Sequence, residues 1–140
     1  MGVRFIPHLW LESGAEEAAA FYTGIFPNSR ITSITHYPAA GQEVHGQPPG
    51  TVMNVTLELA GQPLMLLNGG PAFRLTEAFS LVVECETQEE IDRYWNALLD
   101  GGQPQDCGWL TDRFGVSWQV ACPFDRWFEA LDPAARDRVF

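Results

Sequence analysis

The residues that could do chemistry occupy alternate positions on stretches of the sequence that are typical of β-strands. On the first stretch, Leu9 and Leu11 can pack beneath a helix, which leaves His8 and Trp10 on the opposite face. The same alternation gives that face polar residues of three later strands, namely Asn54, Thr56 and Glu58, then Ser80 and Glu84, and finally Ser117 and Gln119. His8 is the histidine among them, the residue type whose ordinary pKa, ~6.5, suits proton transfer near neutral pH. It is the candidate general acid or base, with Glu58 or Glu84 as an electrostatic partner.

An aromatic wall with a few convergent polar groups is the usual composition of a small-molecule pocket. Two simpler interpretations stay open: the polar residues form the solvated face of an open sheet, and His8 is a hydrogen-bonded core histidine. The large apolar surface of Trp10 would be poorly placed in water, which favours a pocket.

The elements that must position these residues begin with a strand at 6–11 and a helix. Ser13 and Glu16 have the spacing of a capping box, and the helix then carries an apolar stripe of Ala18, Phe21, Tyr22 and Ile25. Strands are predicted at 30–37, 51–59 and 63–68. Between the first two of these, residues 38–50 are predicted to be a loop without structure of its own, acting as a lid or disordered.

The same order of elements then returns. A strand at 79–86 leads into a second capping box, Thr87 with Glu90, and a helix with Ile91, Tyr94, Trp95 and Leu98 on one face; strands at 109–111 and 116–121 follow. An offset of about 73 positions superimposes the two helices, so the chain contains an internal repeat. The repeat predicts one α+β domain, 1–140, with modules at about 4–70 and 78–122.

The tail, 123–140, is predicted to be helical from Phe124 to Leu131. Trp127, Phe128 and Leu131 would form an apolar stripe there, which favours docking on a second subunit.

Composition narrows the possible partners. The 140 residues carry a formal net charge of −10, which would repel a nucleic-acid backbone. No apolar run approaches the roughly 20 residues that a membrane span needs, and no secretory signal is visible. The three cysteines, Cys85, Cys107 and Cys122, lack the spacing of a zinc site or a disulfide framework, so reduced thiols and a cytoplasmic location are expected.

Several segments resemble one known family. They are residues 6–11 (IPHLWL), 16–22 (EEAAAFY), 26–29 (FPNS), 67–70 (LNGG) and 107–120 (CGWLTDRFGVSWQV). Together they resemble the PhnB-like branch of the vicinal oxygen chelate superfamily, which includes glyoxalases, bleomycin resistance proteins and dioxygenases. The resemblance implies paired βαβββ modules, a cupped mixed β-sheet around a cavity, and a homodimer.

This branch commonly carries the label 3-demethylubiquinone-9 3-methyltransferase. Methyl transfer from S-adenosylmethionine normally needs a glycine-rich loop between a strand and a long helix. Here Asn68-Gly69-Gly70 is followed by Pro71 and no amphipathic helix, so we interpret it as a turn and the label as a misnomer.

The superfamily holds a divalent cation with His or Glu side chains on four strands. The resemblance places His8 at the first position, Asn68 or Leu66 near the second, Ser80 near the third and Gln119 at the closing carboxylate. Hydroxyl and neutral amide groups bind transition metals far less well than imidazole and carboxylate do. We therefore predict no tightly bound metal and no other cofactor, with a divalent metal as the alternative.

The sequence thus predicts a binder of a small molecule, whose residues are Trp10, Asn54, Thr56, Glu58, Asn68, Ser80, Glu84, Ser117 and Gln119, and leaves catalysis open. A second possibility is sequestration of a cationic drug, which the net charge and the Trp side chains would suit. A third is a metal-dependent lyase, isomerase or dioxygenase that uses Glu58 and Glu84 beside His8.

Overall fold

A computed structural model describes residues 2–123 and residue 134. The chain divides into two compact units, with the boundary between Leu75 and Thr76. The predicted tail helix, Phe124 to Leu131, lies outside the described residues.

The first unit contains four strands and two helices. They are β1 (His8–Leu11), α1 (Ala15–Ile25), β2 (Arg30–His36), α2 (Gln42–His45), β3 (Val52–Leu59) and β4 (Gln62–Asn68). The strands form one sheet in the order β1-β4-β3-β2. β1 and β4 are parallel, and the other two pairs are antiparallel.

The second unit repeats this plan with shorter strands. Its elements are β5 (Leu81–Glu84), α3 (Gln88–Leu99), β6 (Gln103–Pro104), β7 (Trp109–Thr111) and β8 (Ser117–Ala121). The sheet order is β5-β8-β7-β6, and β5 and β8 are its parallel pair. In each unit the first strand therefore pairs with the fourth, which pairs with the third. The predicted α+β class with paired βαβββ modules is confirmed.

The start of α1 differs from the prediction. The N-cap is Gly14, whose φ of 82° is left-handed, and it offers no side-chain cap. Because the N-cap is Gly14, Ser13 lies one residue before the cap and Glu16 is the second helical residue instead of the third. The predicted capping box of Ser13 with Glu16 is therefore wrong. The amide of Ala15 donates instead to Oδ1 of Asn68, at 2.8 Å. A residue 53 positions away thus replaces the missing local cap.

The start of α3 follows the prediction. Thr87 accepts a hydrogen bond from the backbone N–H of Glu90, and the Glu90 carboxylate accepts one from the N–H of Thr87. Both halves of the capping box are present. Tyr94 and Leu98 of the predicted apolar face are buried.

The alternation predicted for the strands is confirmed. Leu9, Leu11, Val55 and Leu57 are buried on the side of the first sheet that faces α1, together with Ala18 and Tyr22 of that helix. In the second unit the buried set includes Leu110, Val116, Trp118 and Val120, and α3 contacts β7 and β8. We call these surfaces the helix faces, and the opposite surface of each sheet its far face.

Two further predictions need correction. Residues 38–50 are not without structure, since they contain α2 and are closed at the base by hydrogen bonds from Tyr37 N–H to Thr51 O and from Gly50 N–H to Tyr37 O. The strand predicted at 79–86 is shorter, Leu81–Glu84, because Phe79 and Ser80 precede its pairing with β8. None of the described helices is long and apolar enough to cross a bilayer.

Candidate functional site

The far face of the first sheet gathers most of the predicted site residues of this unit. Strand pairing sets His8 beside Met65 and Trp10 beside Leu67. The next strand adds Thr56 beside Met65 and Asn54 beside Leu67. Because paired residues point to the same side of a sheet, these side chains form two adjoining rows.

His8 and Asn54 are joined directly. The Nε2 atom of His8 lies 2.6 Å from Oδ1 of Asn54, so the side chains bridge from β1 to β3 across β4. His8 itself is exposed, whereas Asn54 is only 7% exposed. The alternation places both residues on one face, but it does not predict that they touch.

Trp10 is fixed by three contacts. Its Nε1–H donates to the carbonyl oxygen of Gly70 at 2.9 Å. The ring of Phe73 stands edge-on to it, with centroids 4.8 Å apart and an interplanar angle of 81°. The third contact is with Gly69, where an added Cβ would lie 2.3 Å from Cε2 of the indole. The turn at Gly69 and Gly70 therefore packs against the Trp10 indole and fixes its position. The sequence of the turn alone did not reveal this role.

Glu58 and Thr56 also lie on the far face. The Glu58 carboxylate is 3.4 Å from Nε of Arg30 on the neighbouring strand. The side chains are 32% and 72% exposed, so this ion pair adds little stability. It nevertheless directs Glu58 toward β2, whereas His8 stands on β1 at the other edge of the sheet.

Asn68 lies on the helix face instead. It pairs with Leu11, and its amide nitrogen donates to Glu16 Oε1 at 2.7 Å and to the carbonyl of Val52 at 3.0 Å. Its side-chain oxygen accepts from Ala15, as described above. The structure therefore does not bring Asn68 to the surface that carries His8 and Trp10.

In the second unit, the predicted residues occupy the far face of the second sheet. Nε2 of Gln119 donates to Oγ of Ser80 at 3.0 Å. Ser117 is 3% exposed and pairs with Thr111, while Glu84 is exposed and pairs with Ala121.

A buried carboxylate that the sequence reasoning missed organises the turn between β7 and β8. Asp112 accepts hydrogen bonds from the N–H groups of Phe114 and Val116 and from Nε1 of Trp118. Three donors around one carboxylate make this group structural. Its signal in the sequence is an Asp at the first position of a turn that ends in Gly115.

The other histidines lie apart from His8. His36 ends β2, and His45 ends α2 with its ring 4.7 Å from that of Tyr37. Burial raises the pKa of the Tyr37 hydroxyl, which donates to the carbonyl of Asn68 at 2.5 Å. The pKa of the Cys85 thiol is raised by burial and, to a smaller extent, by the nearby charge of Glu90.

Comparison with known proteins places this geometry in a family. Residues 3–121 match the family described as 3-demethylubiquinone-9 3-methyltransferase. A PhnB protein from Bacillus cereus, for which that activity has been suggested, is 36% identical, with a TM-score of 0.75; the match covers 86% of this chain and 100% of that one. No curated protein matches the sequence.

Two more distant structures share the fold alone. Protein PA1353 from Pseudomonas aeruginosa is 23% identical, with a TM-score of 0.64 and coverage of 86% of this chain and 98% of that one. The fosfomycin resistance protein FosX from Listeria monocytogenes, solved with Mn(II) and dihydroxypropylphosphonic acid, is 13% identical with a TM-score of 0.63, and the match covers 91% and 98% of the chains.

Paired βαβββ modules together with these matches define a member of the vicinal oxygen chelate superfamily. Within that superfamily, the chain belongs to the PhnB-like family described as 3-demethylubiquinone-9 3-methyltransferase.

The divalent metal that such a fold implies does not fit the residues present. Among residues 2–123 and 134, no group of three His, Cys, Asp or Glu side chains is placed to hold an ion. Beside His8, β4 offers Met65 and Leu67 to the far face, and neither is a ligand for a hard or borderline cation. The Nε2 atom of His8 is already engaged by Asn54.

Proposed function

We propose that this protein binds a small planar molecule on the far face of the first sheet, without a tightly bound metal. The observation that carries the proposal is the fixed, half-buried indole of Trp10 beside the His8–Asn54 pair. Indole and imidazole-amide groups on one surface combine an apolar wall with directional polar contacts.

The ring contacts support binding of an aromatic or conjugated ligand. Phe73 is 65% exposed although it packs edge-on against Trp10. A ligand that covers such a ring removes apolar surface from water, and this burial favours binding by about 25 cal/mol per Å². Because Trp10 is held by Gly69 and Gly70, little side-chain freedom remains to be lost when a ligand stacks nearby.

The polar contacts support orientation of the ligand, and they allow acid–base chemistry. His8 lies on this face two residues from Trp10, and the amide that holds it is uncharged. If a reaction occurs, His8 is the group that accepts or returns a proton.

Methyl transfer is not part of the proposed function. The Gly69-Gly70 turn, which resembles a cofactor loop most closely, is occupied by the Trp10 side chain. Residues 71–80 after it contain no helix on whose N-terminus a cofactor could rest.

The decisive experiment examines the protein as purified. Mild purification without a histidine tag, followed by denaturation and mass spectrometry of the released small molecules, should recover a planar compound from the wild type and much less from Trp10→Ala. Trp95→Phe, on α3 in the other unit, is the matched control and should retain the compound. Equal recovery from Trp10→Ala and the wild type, with both folded, would refute the proposed site.

Metal content is measured on the same sample. Elemental analysis should give well below one equivalent of nickel, zinc, iron or manganese per chain. A stoichiometric metal that is lost in His8→Gln would restore the metal-dependent lyase, isomerase or dioxygenase as the function.

Sequestration of a cationic drug is the second candidate, and the net charge of −10 beside the Trp10–Phe73 ring pair favours it. A ligand that binds only the folded state raises the melting temperature. A rise with bleomycin but not with neutral phenols would select this candidate over the first.

The proposed assembly is a homodimer in the cytoplasm. β2 is an edge strand whose seven residues are all exposed, including Ile31 and Ile34, and an open edge of this kind can pair with a second copy. Light scattering should give twice the chain mass, and Ile34→Lys should lower it. Free Cys85, Cys107 and Cys122 support a reducing compartment.

A further inference from the structure

We infer that Asn54 is a positioning residue that holds the His8 imidazole in its Nε2–H tautomer, so that Nδ1 is the nitrogen offered to a ligand. The tautomer depends on contacts within the first sheet alone. Its consequence for a ligand rests on the proposed function.

The contact itself selects the tautomer. Nε2 of His8 lies 2.6 Å from Oδ1 of Asn54, which is hydrogen-bond distance. An amide carbonyl oxygen can only accept, so Nε2 must carry the proton. A neutral imidazole has one N–H, and Nδ1 therefore keeps its lone pair.

Asn54 is the fixed member of the pair. It lies on β3, an inner strand, where its backbone pairs with Thr35 on one side and Leu67 on the other. His8 is exposed and is the first residue of β1, an edge strand. The backbone of Asn54 is thus held by strands on both sides and its side chain is buried, whereas the His8 ring is exposed at the sheet edge.

Nδ1 of His8 makes no hydrogen bond to any of residues 2–123. A ligand that uses this nitrogen must supply an O–H or N–H group. Together with the Trp10–Phe73 ring pair, the acceptor defines the ligand class as a planar ring that bears a hydrogen-bond donor. A cation that requires Nε2 would first have to displace both its proton and Asn54.

The tautomer is measured directly by long-range ¹H–¹⁵N spectra of protein labelled at histidine, at a pH where His8 is neutral. The His8 signals are assigned by their loss in His8→Gln; His36 and His45 supply the remaining signals. We expect Nε2 to show the shift of a protonated nitrogen and Nδ1 that of an unprotonated one. The opposite pattern would overturn the inference, because it means that the amide donates through Nδ2 instead.

Variants of Asn54 test whether this residue sets the tautomer. In Asn54→Leu, the ratio of Nε2–H to Nδ1–H should fall by roughly three- to tenfold, as the loss of one hydrogen bond predicts. Asn54→Asp keeps an acceptor oxygen and should preserve the ratio, as should Thr56→Val on the same strand and face. A folded Asn54→Leu protein with the wild-type ratio would overturn the inference. If that variant does not fold, the wild-type spectrum alone decides.

The ligand consequence is tested with 4-methylphenol and 4-methylanisole, which differ in the hydroxyl donor. We expect the phenol to move the Nδ1 signal of His8 and the anisole not to do so. Equal shifts from both would refute the donor requirement. Binding of neither would count against the proposed function, while the tautomer would stand on the spectra of the free protein.

Discussion

Replacing Gly69 by alanine tests whether the Trp10 indole packs against Gly69 as closely as the structure indicates. The added Cβ would lie 2.3 Å from Cε2, 2.5 Å from Cδ2 and 2.7 Å from Cζ2 of the indole. Ordinary contact begins at 3.4 Å, so the overlap is about 1 Å. The φ of Gly69 is not in the left-handed region, and an alanine backbone is therefore acceptable there. Any cost must come from the ring.

The expected magnitude follows from the two things that the indole would lose. Overpacking of a well-packed site costs about 1–3 kcal/mol, and the Trp10 hydrogen bond to Gly70 is worth about 0.5–1.5 kcal/mol net. We expect Gly69→Ala to lower the free energy of unfolding by about 2 kcal/mol in urea titrations. Because the Phe73 ring packs on Trp10, ligand retention should fall as well.

The matched control is Gly24→Ala on α1. It has no atom within 4 Å of the added Cβ, and removing a helical glycine should raise stability by up to about 1 kcal/mol. In a Trp10→Ala background, most of the cost of Gly69→Ala should vanish. If Gly69→Ala costs the same in both backgrounds, the clash with Trp10 is not its cause and the reasoning is refuted.

Three further predictions concern stability. Asn68→Leu, which leaves the first amide of α1 without its acceptor, should lower the unfolding free energy by about 1–3 kcal/mol in urea; a loss below 0.5 kcal/mol would contradict the capping role. Asp112→Ala should cost at least as much, because it removes the carboxylate that accepts from the Trp118 indole N–H and from two backbone N–H groups of the turn; unchanged stability would contradict this. The folded state raises the pKa of Cys85 and Tyr37, so it holds their protons more tightly than the unfolded chain does. Stability should therefore be complete below pH about 9 and fall as pH rises beyond it, and the fall should be smaller in Cys85→Ala; a flat profile from pH 8 to 11 would exclude both shifts.

The sequence predicts the faces of the strands well because alternation is a local property. Leu9 and Leu11, or Trp118 and Val120, reveal their side by spacing alone, and the backbone obeys that spacing. Capping at Thr87 is local too, and it is confirmed. At Ser13 the same pattern misleads, since Gly14 shifts the start of α1 by one residue and Asn68 caps the helix from 53 positions away.

Contacts between distant residues explain the rest of the differences. Nothing near Asn54 in the sequence indicates that its amide meets His8, and nothing near Gly69 indicates that an indole lies against it. Both contacts depend on β4 joining β1 to β3, which only the assembled sheet shows. The sequence can therefore identify which residues share a face before it can identify which of them touch.

The two units show why the fold alone does not define the chemistry. Their strand order is the same, but the polar pair of the first unit joins its first and third strands, His8 with Asn54, whereas Gln119 of the second unit, on its fourth strand, bonds Ser80. Only the first pair contains an ionisable group, and the Trp10 indole, whose N–H donates to the Gly70 carbonyl, lies on the face of that pair. Since an uncharged amide engages Nε2 of the imidazole, chemistry at this face is best sought through His8 Nδ1 and ligands that donate to it.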